Sequence, residues 1–194
     1  TAAIPLDVGY RVWTSASQQV SFPAGTVLTN GAAFGESCAI STNGNLAIVG
    51  APEHNNGNNT QGFANIYERS GTTWSLVQTL TANSPSHGGN IENNSRFGRA
   101  FAMSSNGETI AISEPTFNRS GGNGRVHVYV KSGSSWAHEA TFNWSGHGGN
   151  TPIRYGTSLG MSDTGDELII GALGGMSSLS MAGYAIIHKR TGSS

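Results

Sequence analysis

The sequence predicts an all-β chain made of about three like, four-stranded units in tandem, and three observations carry that expectation. Glycine is abundant, at 28 of 194 residues, and serine, threonine and asparagine are frequent, which suits many short strands joined by tight turns. One eight-residue segment recurs three times, starting at Phe34, Phe97 and Tyr155. Behind each copy the same order of turn, apolar run and further strand returns.

Each element of the repeat has a reason. The recurring segments are Phe34-Gly35-Glu36-Ser37-Cys38-Ala39-Ile40-Ser41, Phe97-Gly98-Arg99-Ala100-Phe101-Ala102-Met103-Ser104 and Tyr155-Gly156-Thr157-Ser158-Leu159-Gly160-Met161-Ser162. Short turns follow at Asn43-Gly44, Asn106-Gly107 and Thr164-Gly165, and then apolar runs at Leu46 to Val49, Thr109 to Ile112 and Leu168 to Ile170. This is a β-hairpin whose second strand is expected to be buried on both faces. After a variable loop, a third strand aligns without gaps at Gly62 to Tyr67, Gly124 to Tyr129 and Gly183 to His188. A fourth strand starts at Trp74 and Trp136, each three residues after a turn glycine, and ends at Leu80 and Phe142. The two tryptophans are expected to be equivalent and packed between units.

A four-stranded antiparallel sheet with apolar residues on both faces must be covered on both faces, and radial stacking of like sheets, as in a β-propeller, does this while leaving only short edges. The fold class expected is therefore all-β, with propeller-type blades, about three in the chain. They divide a single domain into an N-terminal strand segment (1–33), units at 34–82 and 97–143, and an incomplete unit at 155–194. The third unit stops where its Trp and fourth strand should begin. At the other end Gln19-Val20-Ser21-Phe22 is similar to Gln78-Thr79-Leu80 and Ala140-Thr141-Phe142 and has no strands of its own unit before it. That N-terminal strand is expected to complete the third unit, within the chain or between chains.

Phe34-Gly35 with Gly50-Ala51-Pro52, Phe97-Gly98 with Ser113-Glu114-Pro115, and Tyr155-Gly156 with Gly171-Ala172-Leu173 together resemble the FG-GAP repeat. That resemblance implies the blade of integrin α-subunit propellers and of many microbial surface proteins and lectins. It is specific for fold and weak for function, because one fold hosts many activities.

Composition narrows the function classes. Only 11% of residues are charged and the formal net charge is −1, which leaves no basic field for nucleic acid or membrane surface. No apolar stretch approaches the ~20 residues of a membrane helix. The single cysteine, Cys38, excludes an intrachain disulfide and, in the column of Phe101 and Leu159, is expected to be a buried apolar thiol. Low charge with many polar uncharged residues suggests an extracellular or virion surface.

Candidate site residues are sparse. Many FG-GAP repeats hold Ca²⁺ in an Asp-rich loop, but Ser41 to Asn45, Ser104 to Glu108 and Ser162 to Asp166 are short and poor in carboxylate, so no metal and no cofactor are expected. Two similar loops, His87-Gly88-Gly89-Asn90 with Arg96 and His147-Gly148-Gly149-Asn150 with Arg154, offer paired hydrogen-bonding groups that suit a glycan hydroxyl or carboxylate. The competing reading makes them turn caps and edge cover. No nucleophile motif is present, so an enzyme is not expected. The favoured expectation is a homo-oligomer or filament built by strand exchange through Gln19, Val20, Ser21 and Phe22. The alternative is a glycan-binding module using the loops His54 to Gly62, Thr116 to Gly124 and Leu173 to Gly183.

Overall fold

A computed structural model describes residues 30–55, 61–82, 94–116, 123–144, 153–174 and 183–191. Every described regular element is a β-strand. The first repeat forms β1 (Cys38–Ile40), β2 (Leu46–Ala51), β3 (Phe63–Ser70) and β4 (Thr73–Thr81), a meander in the order β1-β2-β3-β4. The second repeats it with β5 (Phe101–Met103), β6 (Thr109–Glu114), β7 (Arg125–Ser132) and β8 (Ser135–Asn143). The third has three described strands, β9 (Tyr155–Met161), β10 (Glu167–Ala172) and β11 (Tyr184–Lys189), with β10 central and β11 at an edge. The described residues are thus all-β, in three antiparallel sheets numbered 1 to 3 in the order of the repeats.

Register confirms the equivalences. Tyr67 and Tyr129 lie opposite Leu76 and His138, and Trp74 and Trp136 lie opposite Arg69 and Lys131. Both third-to-fourth strand pairings carry a register shift at the same place, after Ile66 and after Val128. The connecting hairpins have two-residue loops, with Gly71 at φ 61° and Gly133 at φ 63°, a backbone that L-residues rarely adopt.

Sheet 2 lies between the other two. One core cluster joins Leu46, Ile48, Ala64 and Ile66 of sheet 1 to Ile110, Ile112, Tyr129 and Trp136 of sheet 2. A second joins Ala111, Val126 and Val128 on the opposite face of sheet 2 to Leu168, Ile170 and Ala172 of sheet 3. All six residues of β6 are consequently buried, as expected for a strand covered on both faces. In β10 the run Leu168 to Ile170 departs from that expectation: Leu168 and Ile170 are buried, but Ile169 is exposed, because only one face of sheet 3 meets a described sheet.

The same cause corrects two readings made by column. Cys38 is exposed, whereas its counterparts Phe101 and Leu159 are half-buried against sheets 1 and 2. Trp136 is buried between sheets 1 and 2, while Trp74 is half-buried on the outward face of sheet 1.

Candidate functional site

The junctions between sheets are built from backbone. Gly62 at φ 74° and Gly124 at φ 72° bring the chain so close to the next repeat that a Cβ there would sit 2.2 Å from the carbonyl oxygen of Phe97 or Tyr155. Beside them, Phe97 N donates to Gln61 O at 2.9 Å and Tyr155 N donates to Asn123 O at 3.0 Å. At the far end of the sheets the hairpin turns form a second ladder. Thr42 N donates to Ser105 O at 3.0 Å, and Ser105 N donates to Asp163 O at 2.9 Å. In each turn a serine hydroxyl accepts from the first or second residue after the turn, as Leu46 N to Ser41 Oγ at 3.0 Å and Thr109 N to Ser104 Oγ at 2.9 Å illustrate.

Two of the sugar-binding candidates, Arg96 and Arg154, fall on these junctions. Arg96 and Arg154 occupy the same place in successive junctions, at φ 58° and 50°, and Ala33 holds the equivalent position at φ 54°. The position is therefore a left-handed turn common to all three repeats, filled by arginine in two of them. Arg96 Nε pairs with Glu53 at 2.9 Å, and Arg154 is exposed, its carbonyl accepting from Thr157 N at 3.2 Å. The two belong to different junctions. His87, Asn90, His147 and Asn150 lie outside the described residues, as do Gln19, Val20, Ser21 and Phe22. Much of each variable loop also lies outside them.

In the third-repeat turn, Glu167 pairs with Lys189 at 2.9 Å and Asp166 lies 3.9 Å from Arg190. Two of its three carboxylates therefore already face cations. Among the described residues, no three His, Cys, Asp or Glu side chains gather as a metal site.

A buried polar network in sheet 2 escapes sequence reading. Glu114 is fully buried and pairs with Arg125, directly opposite it in register, and with His127 Nε2 at 3.0 Å. Burial alone would raise the Glu114 carboxyl, but hydrogen bonds from His127 and Arg125, with the charge of Arg125, outweigh it and hold the group below the usual carboxylate range. Burial lowers the His127 pKa, so the ring is neutral and Nε2–H donates to the carboxylate. Its Nδ1 then accepts from the Thr141 hydroxyl at 3.1 Å, which accepts from His138 Nε2 at 2.8 Å. The signal was three polar replacements in neighbouring columns: Glu114 for Ala51, Arg125 for Phe63 and His127 for Asn65. Glu114 and His127 are wholly inaccessible, so the network braces sheet 2 and offers no binding surface.

His188, in the column of Tyr67 and Tyr129, is a half-buried strand residue. It packs on Phe142 at 4.1 Å and takes part in a 2.6 Å hydrogen bond with the Tyr155 hydroxyl.

What remains open is at the two ends of the stack. On sheet 3, Ile169 and Ile187 lie opposite each other on the outward face and are 44% and 68% exposed. Their counterparts Ile48 and Ile66 on sheet 1, and Ala111 and Val128 on sheet 2, are buried against the following sheet. On sheet 1 the outward face carries Ile40, 61% exposed, with Cys38 and half-buried Trp74. The turn ladder has matching ends: among the described residues, Thr42 O and Asp163 N take part in no backbone bond of the kind that joins Thr42, Ser105 and Asp163.

No protein-family model matches the chain, and no curated protein matches it. Among solved structures, the chain is similar to a crystal structure of a hypothetical selenium-binding protein from Sulfolobus tokodaii, with a TM-score of 0.46 and 9% identity over 76% of this chain. The match spans 35% of that protein, about a third of its length.

Proposed function

We propose that the protein is a non-enzymatic structural subunit of an extracellular or virion surface, built of FG-GAP-type propeller blades and assembled from copies of itself. In this reading, sheet 3 of one copy receives sheet 1 of the next, and the N-terminal strand around Gln19 to Phe22 of that next copy completes the third blade. The observation that carries it is the pair of unfinished, complementary ends: the Ile169 and Ile187 face on sheet 3, the Ile40 and Cys38 face on sheet 1, and the two ends of the turn ladder. Unlike ends of this kind make head-to-tail contacts, which close into a ring or run on as a filament.

Connection lengths support the same arrangement. Phe22 precedes Phe34 by 12 positions, as Phe142 precedes Tyr155 by 13. In this reading a strand ending at Phe22 serves as the last strand of the sheet that covers the outward face of sheet 1.

The test is solution mass by light scattering on the full chain and on Ile187→Asp. The unmodified chain is expected to give multiples of 20.1 kDa that grow with concentration. The variant, with a charge on the exposed outward face of sheet 3, should remain folded and monomeric. Identical mass profiles for the two would overturn the reading. A monomer at every concentration that binds a glycan array would replace it with the recognition module.

A further inference from the structure

A cavity of about 190 Å³ opens between sheets 2 and 3, lined by Ala140, Phe142, Gly165, Leu168, His188 and Arg190 among others. Register gives each of these a counterpart between sheets 1 and 2: Gln78, Leu80, Gly107, Ile110, Tyr129 and Lys131. There the space is filled by the indole of Trp136. Its Nε1–H donates to Gly107 O at 3.2 Å, Lys131 Nζ stands 4.9 Å from the ring centroid, and Ile110 and Tyr129 share its core cluster. Gln78 holds the backbone of the same residue from the preceding sheet, accepting from Trp136 N at 2.7 Å and donating to Trp136 O at 3.0 Å. Trp136 arrives on β8, paired along β7. In sheet 3 the equivalent edge belongs to β11, and among the described residues no strand lies along it.

Resting on the assembly reading above, we infer that this cavity is a receptor slot for Trp13 of a second copy, carried in on the donated strand that pairs along β11. The slot has the parts an indole needs: an apolar wall from Phe142 and Leu168, the Gly165 carbonyl in the place of the Gly107 acceptor, and the Arg190 cation in the place of Lys131. The chain has four tryptophans, and Trp74, Trp136 and Trp144 already have described places, on β4, on β8 and against Tyr184 at 4.5 Å. Trp13 is the fourth, and it lies nine positions before Phe22, in the segment assigned to donation. The described fourth strands place Trp six positions before Leu80 or Phe142, so the donated strand carries a longer span between its two anchors. Trp13 is therefore expected to seat in the slot while the three extra residues loop out, at the stretch where β4 and β8 each already carry a one-residue slip in register.

The experiment uses the full chain carrying Trp13→Ala, which keeps its own slot open, and a fluorescent peptide of residues 9–22. Trp13→Ala is expected to raise the concentration for half-assembly at least about tenfold, as loss of a buried aromatic anchor does. The peptide should bind this variant by anisotropy, and the same peptide with Trp13→Ala should bind at least about tenfold more weakly. Ala140→Phe added to the variant, with its melt checked, should fill the slot and block the peptide. Equal binding of the two peptides, or unchanged assembly of Trp13→Ala, would overturn the inference. If Trp13→Ala assembles normally while Ile187→Asp does not, the slot is wrong and the assembly reading stands. If the unmodified chain stays monomeric and refuses the peptide while Trp13→Ala accepts it, the slot is filled within one chain and the second copy is excluded.

Discussion

The two fourth-strand tryptophans, equal by sequence column, should differ sharply in energetic weight. Trp136 is 3% exposed, inserts between sheets 1 and 2, and donates its indole N–H to Gly107 O. Truncating such a residue to alanine removes transfer energy and leaves a cavity, at about 3–5 kcal/mol. Trp74 is half-buried on the outward face of sheet 1, with the Arg69 guanidinium 5.9 Å from its ring centroid. Partial burial and an exposed cation–π contact together come to about 1–2 kcal/mol. In urea, with m near roughly 2 kcal/mol/M, Trp136→Ala should lower the midpoint by about 2 M and Trp74→Ala by less than about 1 M. The melts belong at a concentration where the chain is monomeric, because assembly would bury Trp74. Equal losses at the two sites, or a loss under about 1 kcal/mol at Trp136, would refute the inter-sheet placement.

Three further outcomes are expected. Glu114→Ala should cost about 3–5 kcal/mol by stranding buried Arg125, and adding Arg125→Phe, which restores the Ala51–Phe63 pairing of the first repeat, should recover most of it in thermal melts. His127 is held neutral in the fold, so below the unfolded pKa of 6.5 the unfolded chain takes up a proton the native chain refuses, and stability should fall as pH drops from 7 towards 5. His127→Asn, the first repeat's residue, should flatten that slope by up to about 1.4 kcal/mol per pH unit, leaving what His54, His138 and His188 contribute in the same direction. Cys38, exposed on the outward face of sheet 1, should react fully with a thiol reagent in the native monomer and slow on assembly; inertness in the monomer would contradict its placement.

Much of the architecture is written in the sequence because a repeat shows each element three times. The pairings of Asn43-Gly44 with Asn106-Gly107, and of Gly62 with Gly124, identify turns and junctions that one copy alone would leave ambiguous. Column logic fails where neighbours differ. Cys38 shares its column with half-buried Phe101 and Leu159, and Ile169 with buried Ile48 and Ala111, yet each lies on a terminal sheet with one face that no described sheet covers. The Glu114, Arg125 and His127 network is hidden for another reason: each departure is unremarkable alone, and only register sets Glu114 opposite Arg125 with His127 two residues along the same strand. Arg96 and Arg154 share a left-handed turn with Ala33, and sequence similarity alone does not separate a repeated fold element from a repeated binding residue.

The central claim, that copies join head to tail by N-terminal strand donation, is tested most directly by sedimentation velocity on the full chain and on residues 23–194 over a hundredfold range of concentration. The full chain should move from 20.1 kDa towards a closed oligomer or a growing polymer, while the truncated chain stays folded and monomeric. A full chain that remains at 20.1 kDa throughout, or a truncated chain that assembles just as the full one does, would contradict it.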